Sequence, residues 1–425
     1  MEKLLILGIN TRTLINSALK LNYQTYSSSY YTTLDCSAVY KEKHILQQKP
    51  YQSCGFFEDK FNFIEILNNC SDWIEIVDYI ILTTGITPNY FNGNLKLKNR
   101  AEDTFNVSKL NSILKKNKKK IIGNKDTENV ENKYKFYKKM KNKYHLPLTF
   151  KLCEGSGGDD ALDIIKQYDN KEFILKDIDG SGGYGINFLN SESLFQSKEI
   201  LSKLDNNKKM GLILQEYIHG DNLSCSVLGI KDNSKAFVVN ENINNNYYQT
   251  SKHKRDFRYS GNITPIDKGK HEIAILKKIY KLCEDMISDL NLIGSNGIDL
   301  ILKDDEINII EVNPRFQGTY ESVEEVFEIN LLDGHIKACH GDLIDIPNPK
   351  NYSMKKVIYA PKQLKFNISN LQNLNSNITI SDIPYENTII EKNQPMLTLT
   401  AKNEKIKNLQ IDIEKVSNAI NKIFK

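Results

Sequence analysis

The stretch NGIDLILKDDEINIIEVNPRFQGTYES, residues 296–322, holds two runs of Ile, Leu and Val that read as buried strands, each with one acid set into it. Strand alternation around a three-residue turn at 304–306 sets Ile301 against Ile309, Asp299 against Glu311 and Gly297 against Asn313. Ile298, Leu300, Leu302, Ile310 and Val312 then share the opposite face as core. Two carboxylates facing each other on a sheet repel. A hard divalent cation turns that repulsion into coordination, because carboxylate and amide oxygens are the ligands that Mg²⁺ or Mn²⁺ prefers. Asp299, Glu311 and Asn313 are therefore candidate metal ligands. Two partly solvated acids on an open sheet face remain the alternative at this point.

Working outward, residues 270–292 read as a helix. Upstream, EFILKDIDGSGGYGINFL (172–189) and GLILQEYIHGDNLSCSVLGI (211–230) have strand character on either side of glycines. In the first, Lys176 stands on a strand, and Gly180, Gly182, Gly183 and Gly185 follow; such a run can fold over phosphates with its N–H groups inward, or form a plain hairpin turn. From Ile121 a strand and a Gly turn lead into a long basic helix that stops before Pro147. Residues 1–120 alternate strand-like runs (KLLILG, YQTYSSS, VDYIILTTG) with amphipathic stretches, the βαβ rhythm of a doubly wound parallel sheet. Gly8 ends the first strand and could bring backbone close to a ligand. No G-x-G-x-x-G follows, so a scaffold that walls a cleft is preferred over a dinucleotide site. Downstream, SVEEVFEINLLDGHIKACHG reads as one helix, and the last 80 residues carry β-rich runs closed by the helix IDIEKVSNAINKIFK.

The bulk properties bound the answer. With 425 residues, 40% of them apolar, the chain can bury two or three cores. Its net charge of +4 comes from nearly balanced acids and bases, so the lysine run at 115–120 reads as a solvated helix end and no nucleic-acid partner is inferred. The seven cysteines lack C-x-x-C or zinc-like spacing, and no segment approaches the length a bilayer needs. A cytoplasmic protein without a membrane partner is expected.

IIEVNPR preceded by GIDLIL resembles the metal-binding signature of the ATP-grasp superfamily, and the similarity continues in order through the central region. The resemblance implies that Asp299, Glu311 and Asn313 hold two Mg²⁺ (or Mn²⁺) ions against the phosphates of ATP. It implies that Arg315 faces the transferred phosphoryl group or the substrate carboxylate. Lys176 would contact the α-phosphate, and Gly182 and Gly183 lie in what resembles the family's mobile lid. Lys133 matches an earlier phosphate-binding lysine, with Lys135 as the neighbouring alternative. LILQEYIHGDN resembles the hinge strand that receives adenine, implying Gln215, Glu216, Tyr217 and Ile218. At the ribose position the chain departs from the glutamate of many relatives and offers Asn222 or Asp221. ILGINTR, RYSGNITP, FEINLLDGH and DIPYENTIIEKNQPMLTLTA are similar to predicted ATP-dependent carboligases related to biotin carboxylase and the carbamoyl-phosphate synthetase large chain. In RYSGNITP, Arg258 and Tyr259 line the substrate side or serve structure.

The expected fold is α/β, with α+β character in the ATP-grasp part. A Rossmann-like pre-ATP-grasp domain spans 1–120, an ATP-grasp domain 121–340 with its lid at about 148–214, and a β-rich domain 341–425. The implied function is an ATP- and Mg-dependent carboxylate-amine ligase that passes through an acylphosphate and releases ADP and phosphate. Its partners would be a small-molecule carboxylate and an amine, with a homodimer as the assembly to test. A bicarbonate-activating carboxylase or carbamoyl-type enzyme, and a catalytically silent ATP-binding module, are the alternatives.

Overall fold

The structure is a computed structural model and describes residues 1–36, 43–47, 61–96, 107–152, 157–189, 211–244, 256–267, 269–371 and 377–424. In β1 (Lys3–Gly8), Leu4 to Leu7 are all fully buried, as a parallel strand covered on both faces demands. β2 (Gln24–Ser29), β3 (Lys43–Leu46) and β4 (Tyr79–Leu82) join it in the order β3-β2-β1-β4, every pairing parallel. Alternation sends Leu4 and Ile6 toward the helix Arg12–Ala18, and Leu5 and Leu7 toward the helices Phe63–Asn69, Ser71–Ile76 and Val107–Asn117. Gly8 is explained by packing, not by a ligand: a Cβ there would lie 2.2 Å from Thr83 Cγ2 just beyond β4.

A smaller antiparallel sheet comprises β5 (Thr149–Lys151), β6 (Phe173–Asp177), β7 (Asn187–Leu189) and β8 (Leu212–Glu216), in the order β5-β8-β6-β7. The helix Gly157–Gln167 covers it through Ala161, Leu162 and Ile165. The largest sheet has eight strands. β9 (Asp221–Ile230), β10 (Asn233–Asn244), β11 (Tyr259–Thr264), β12 (Gly294–Lys303) and β13 (Glu306–Asn313) are followed by β14 (Tyr352–Tyr359), β16 (Thr379–Ser381) and β18 (Pro395–Asn403), arranged β13-β12-β9-β10-β11-β14-β18-β16. The short pair β15 (Leu364–Lys365) and β17 (Ile389–Ile390) lies beside it. The β-rich tail thus extends the central sheet through the pairing of β11 with β14. It also keeps its own core, in which Met354, Leu397 and Leu399 meet Leu409, Ile413 and Ile420 of the terminal helix Ile406–Phe424.

Two expected helices are each broken by an asparagine cap. The basic helix forms as Glu128–Glu131 and Lys133–Met140, with Asn132 extended between them and its side chain accepting the Lys135 N–H. The run after the arginine loop forms as Tyr320–Phe327 and Leu331–Cys339; Glu328 takes φ 54° and Asn330 accepts the Asp333 N–H at 2.9 Å. A side-chain oxygen that satisfies the first N–H groups restarts a helix in a new direction. On the second of these, His335 is buried: its Nδ1 accepts the Ser295 N–H at 2.8 Å and its Nε2–H donates to Ile122 O at 3.1 Å. Burial pushes its pKa down to about 4, so the ring is neutral.

Arg12 ties the N-terminal sheet to the rest. It reaches Glu321 at 2.7 Å, Asp382 at 2.8 Å and Asp35 at 3.4 Å, and Lys355 meets Glu321 at 2.8 Å. Burial works against the charge of both Glu321 and Asp382, but the cations outweigh it: Lys355 and Arg12 hold Glu321 below its ordinary value, Arg12 and Lys355 hold Asp382 below its own.

Candidate active site

The hairpin differs from its expected register near the turn. Asp304 (φ 48°) and Asp305 (φ 63°) make a two-residue turn, so Lys303 pairs with Glu306 and Ile301 with Asn308, not with Ile309. Ile310 then bulges out of β13. Past it the expected pairs stand: Asp299 opposite Glu311 and Gly297 opposite Asn313. The bulge reverses the alternation of β13. Ile309 sits in the core with Ile298, Leu300, Leu302 and Val312, a place expected for Ile310. In strict alternation Ile309 and Glu311 would share one face, and one of them would be misplaced.

Six of the candidate residues converge on the acid face. Asn313 Nδ2 donates to Asp299 Oδ2 at 2.9 Å, and Arg315 Nη2 donates to Asn313 Oδ1 at 3.2 Å. Lys133 Nζ lies 3.4 Å from Glu311 Oε2 and also donates to Gly180 O. The buried Lys176 comes from β6. Lys135 instead points outward, ion-paired with Glu128, so Lys133 is the lysine that reaches the carboxylates.

The two acids are not equivalent. Burial and then the Glu311 charge raise the Asp299 carboxyl well above the usual carboxylate range, against the Asn313 hydrogen bond and Arg315. Burial also opposes the Glu311 charge, but Lys133, Lys176 and Arg315 outweigh it and hold that carboxyl below its ordinary value. Burial brings Lys176 down to about 8, against the pull of Glu311. An oxygen-only donor set with one strained acid fits a hard divalent cation. Among the described residues no group of three or more His, Cys, Asp or Glu side chains gathers, so a cation here would complete its shell with ligand or solvent oxygens.

The other candidates surround this face. Gly182 (φ 68°) and Gly183 (φ 76°) lie in the loop between β6 and β7, and among the described residues their N–H groups find no backbone acceptor. Along the segment expected to receive adenine, Gln215 belongs to the β8 ladder, the Glu216 N–H donates to Leu148 O and the Tyr217 N–H to Glu172 O. Ile218 makes no backbone hydrogen bond among the described residues. The Gln215 side chain donates to Thr149 Oγ1 at 3.0 Å, and its buried Oε1 has no partner among the described residues. Asn222 lies two residues before Ser224, the partner of Asp299 across β9 and β12, and its Oδ1 accepts from Asn242. Asp221 is taken up by Lys270 at 3.0 Å and His271 at 3.4 Å.

Sequence reasoning missed Glu131 and Asp179. Both carboxyls are raised by burial and interact electrostatically with Lys133. Glu131 precedes Lys133 by two residues, a spacing that would point them to different sides of one continuous helix; the break at Asn132 lets the two interact, and no sequence pattern marks that.

A sequence profile of the ATP-grasp domain matches residues 130–319. An uncharacterized protein of Methanocaldococcus jannaschii is 30% identical over 413 residues, covering 96% of this chain and 90% of that protein. Among solved structures, N5-carboxyaminoimidazole synthase of Aspergillus clavatus, in complex with ADP and 5-aminoimidazole ribonucleotide, has a TM-score of 0.69 at 16% identity over 99% of both chains. The biotin carboxylase domain of Hydrogenobacter thermophilus 2-oxoglutarate carboxylase, in complex with MgADP, ADP and bicarbonate, has a TM-score of 0.66 at 14% identity over 98% of this chain and 89% of that one. The two solved structures carry the fold. The profile and the near-full-length relative carry the kinship, and the chain belongs to the ATP-grasp family.

Proposed function

We propose that this protein is an ATP- and divalent-cation-dependent carboxylate-amine ligase that works through an acylphosphate. The observation that carries the reading is the convergence of Asp299, Glu311 and Asn313 with Lys133, Lys176 and Arg315 on one sheet face. The triad would hold the cation, two ions being expected, whose chemistry is to neutralise phosphate charge. Gly182 and Gly183 would turn their N–H groups to the phosphates, with Lys133 and Lys176 beside them. Along Gln215, Glu216, Tyr217 and Ile218, the N–H of Ile218, without a backbone acceptor among the described residues, is the donor best suited to adenine, and Asn222 would take the ribose side.

In the first step a carboxylate oxygen attacks the γ-phosphorus, the bond to the β–γ bridging oxygen breaks, and ADP leaves. Arg315 steadies the charge on the phosphoryl group in transfer. An amine nitrogen then attacks the acyl carbon, phosphate departs, and the nitrogen loses a proton to give the amide. Such in-line transfer depends on positioning and charge neutralisation more than on a general base. The test is product identity. With the right acid the expected products are ADP and inorganic phosphate, and hydroxylamine should trap the acyl group as a hydroxamate. AMP and pyrophosphate in the same reaction would refute the mechanism.

A second reading takes bicarbonate as the activated acid, giving a carboxylase. It is favoured by the two structural relatives, one in complex with bicarbonate and one with an aminoimidazole ribonucleotide. Bicarbonate-dependent ADP release in the absence of any organic acid would select it.

A further inference from the structure

The glycine loop is anchored outside its own sheet. Phe257 O occupies the space of a Cβ on Gly183, which would lie 1.9 Å away, and Gly183 has φ 76°, so the contact admits only glycine. The Tyr259 N–H donates to Gly182 O at 3.3 Å. The Phe257 ring meets Tyr217 of the hinge edge-on, with centroids 6.0 Å apart. Residues 256–259 therefore touch both the loop and the hinge.

That segment is held in turn by the β-rich C-terminal region. The Tyr359 hydroxyl donates to Tyr259 O at 2.8 Å. The Arg258 guanidinium lies 4.5 Å from the centroid of the Tyr359 ring, within cation–π range. Its Nη1 donates to Asn393 O at 2.5 Å, and its Nε lies 2.9 and 3.1 Å from the two carboxylate oxygens of Asp256.

We infer that Arg258 and Tyr359 are positioning residues: through residues 256–259 they fix the glycine loop, so that the C-terminal region sets how firmly the loop covers the phosphate face. The nucleotide half of this inference rests on the function proposed above; the anchoring half does not. A loop already held in place loses less conformational entropy when it closes on a ligand, which tightens binding without any new contact.

The test is hydrogen exchange of residues 179–187 in the full ligand-free chain, comparing wild type with Tyr359→Phe, Tyr359→Leu and Arg258→Lys. Exchange should be about tenfold faster in Tyr359→Leu, which loses both the ring and the hydroxyl, and less affected in Tyr359→Phe, which keeps the ring. Exchange in β1 should not change. ATP affinity should fall in the same order. Unchanged loop exchange in folded Tyr359→Leu overturns the inference, and so does a uniform rise through β14 and β18, which would mark a merely structural role. Should the leucine variant not fold, unchanged loop exchange in both Tyr359→Phe and Arg258→Lys overturns it. If the wild type binds no ATP, the proposed function fails while the exchange result still decides the anchoring.

Discussion

At the scale of single residues, the two facing acids have different fates. Lys133 approaches Glu311, so the strain of the apo pair falls on Asp299. A carboxyl raised on folding costs stability as pH climbs from its unfolded value through its folded one. Asp299→Asn should therefore stabilise the metal-free protein at pH 8 by about 1–2 kcal/mol, whereas Glu311→Gln should be neutral or destabilising. Both should abolish ADP production; urea unfolding in chelator and a coupled ADP assay check the two halves. From sequence, relief of repulsion looks equal for either acid, because the reach of Lys133 depends on how its helix packs. The acids themselves were legible, since strand alternation alone gathers them. His335 has the opposite sign. Its folded pKa lies below the unfolded value of about 6.5, so the unfolded chain takes up the proton first and stability falls as pH drops from 6.5 toward 4, by about 3 kcal/mol in total. Because Asp299 and His335 slope against each other, the measurement is the difference between wild type and His335→Gln at each pH, which should shrink as pH falls.

At the scale of elements, the hairpin shows where sequence reading fails. A three-residue turn and a two-residue turn plus a bulge give the same pairing at Asp299 and Glu311, so the facing of the two acids was legible although the route to it was not. What separates them is backbone: Asp304 and Asp305 both have positive φ, and Ile310 leaves the ladder. Paired left-handed positions of this kind favour Asn-Gly. Asp305→Gly should therefore raise stability by about 0.5–1 kcal/mol without changing turnover, as measured by chemical denaturation. The two split helices carry the same lesson. Apolar period runs through Asn132 and Asn330, and only the cap geometry shows that each asparagine begins a new axis.

At the scale of the whole molecule, the parallel N-terminal sheet was readable from its alternation of strand-like and amphipathic runs, and two strands of the small antiparallel sheet from the apolar runs beside the glycines. The joining of these parts was not readable: Arg12 ends ILGINTR and Asp382 begins DIPYENTII, but nothing in either segment shows that residues 370 positions apart meet, or that Asp35 and Glu321 join them. Arg12→Met would leave Asp35, Glu321 and Asp382 together with only Lys355, among the described residues, ion-paired to one of them, at Glu321, and should cost about 3–5 kcal/mol. The loss should appear in calorimetry as a lower or split transition. The pairing of β11 with β14 bears on inheritance as well as stability. A chain cut between residues 341 and 352 would bare the backbone edge at Gly261 to Thr264 and uncover Ile263, leaving a sticky margin open to any passing strand. Shuffling of gene segments would then exchange the part that carries β9 to β13 only together with its tail, and the two should pass between lineages as a single block.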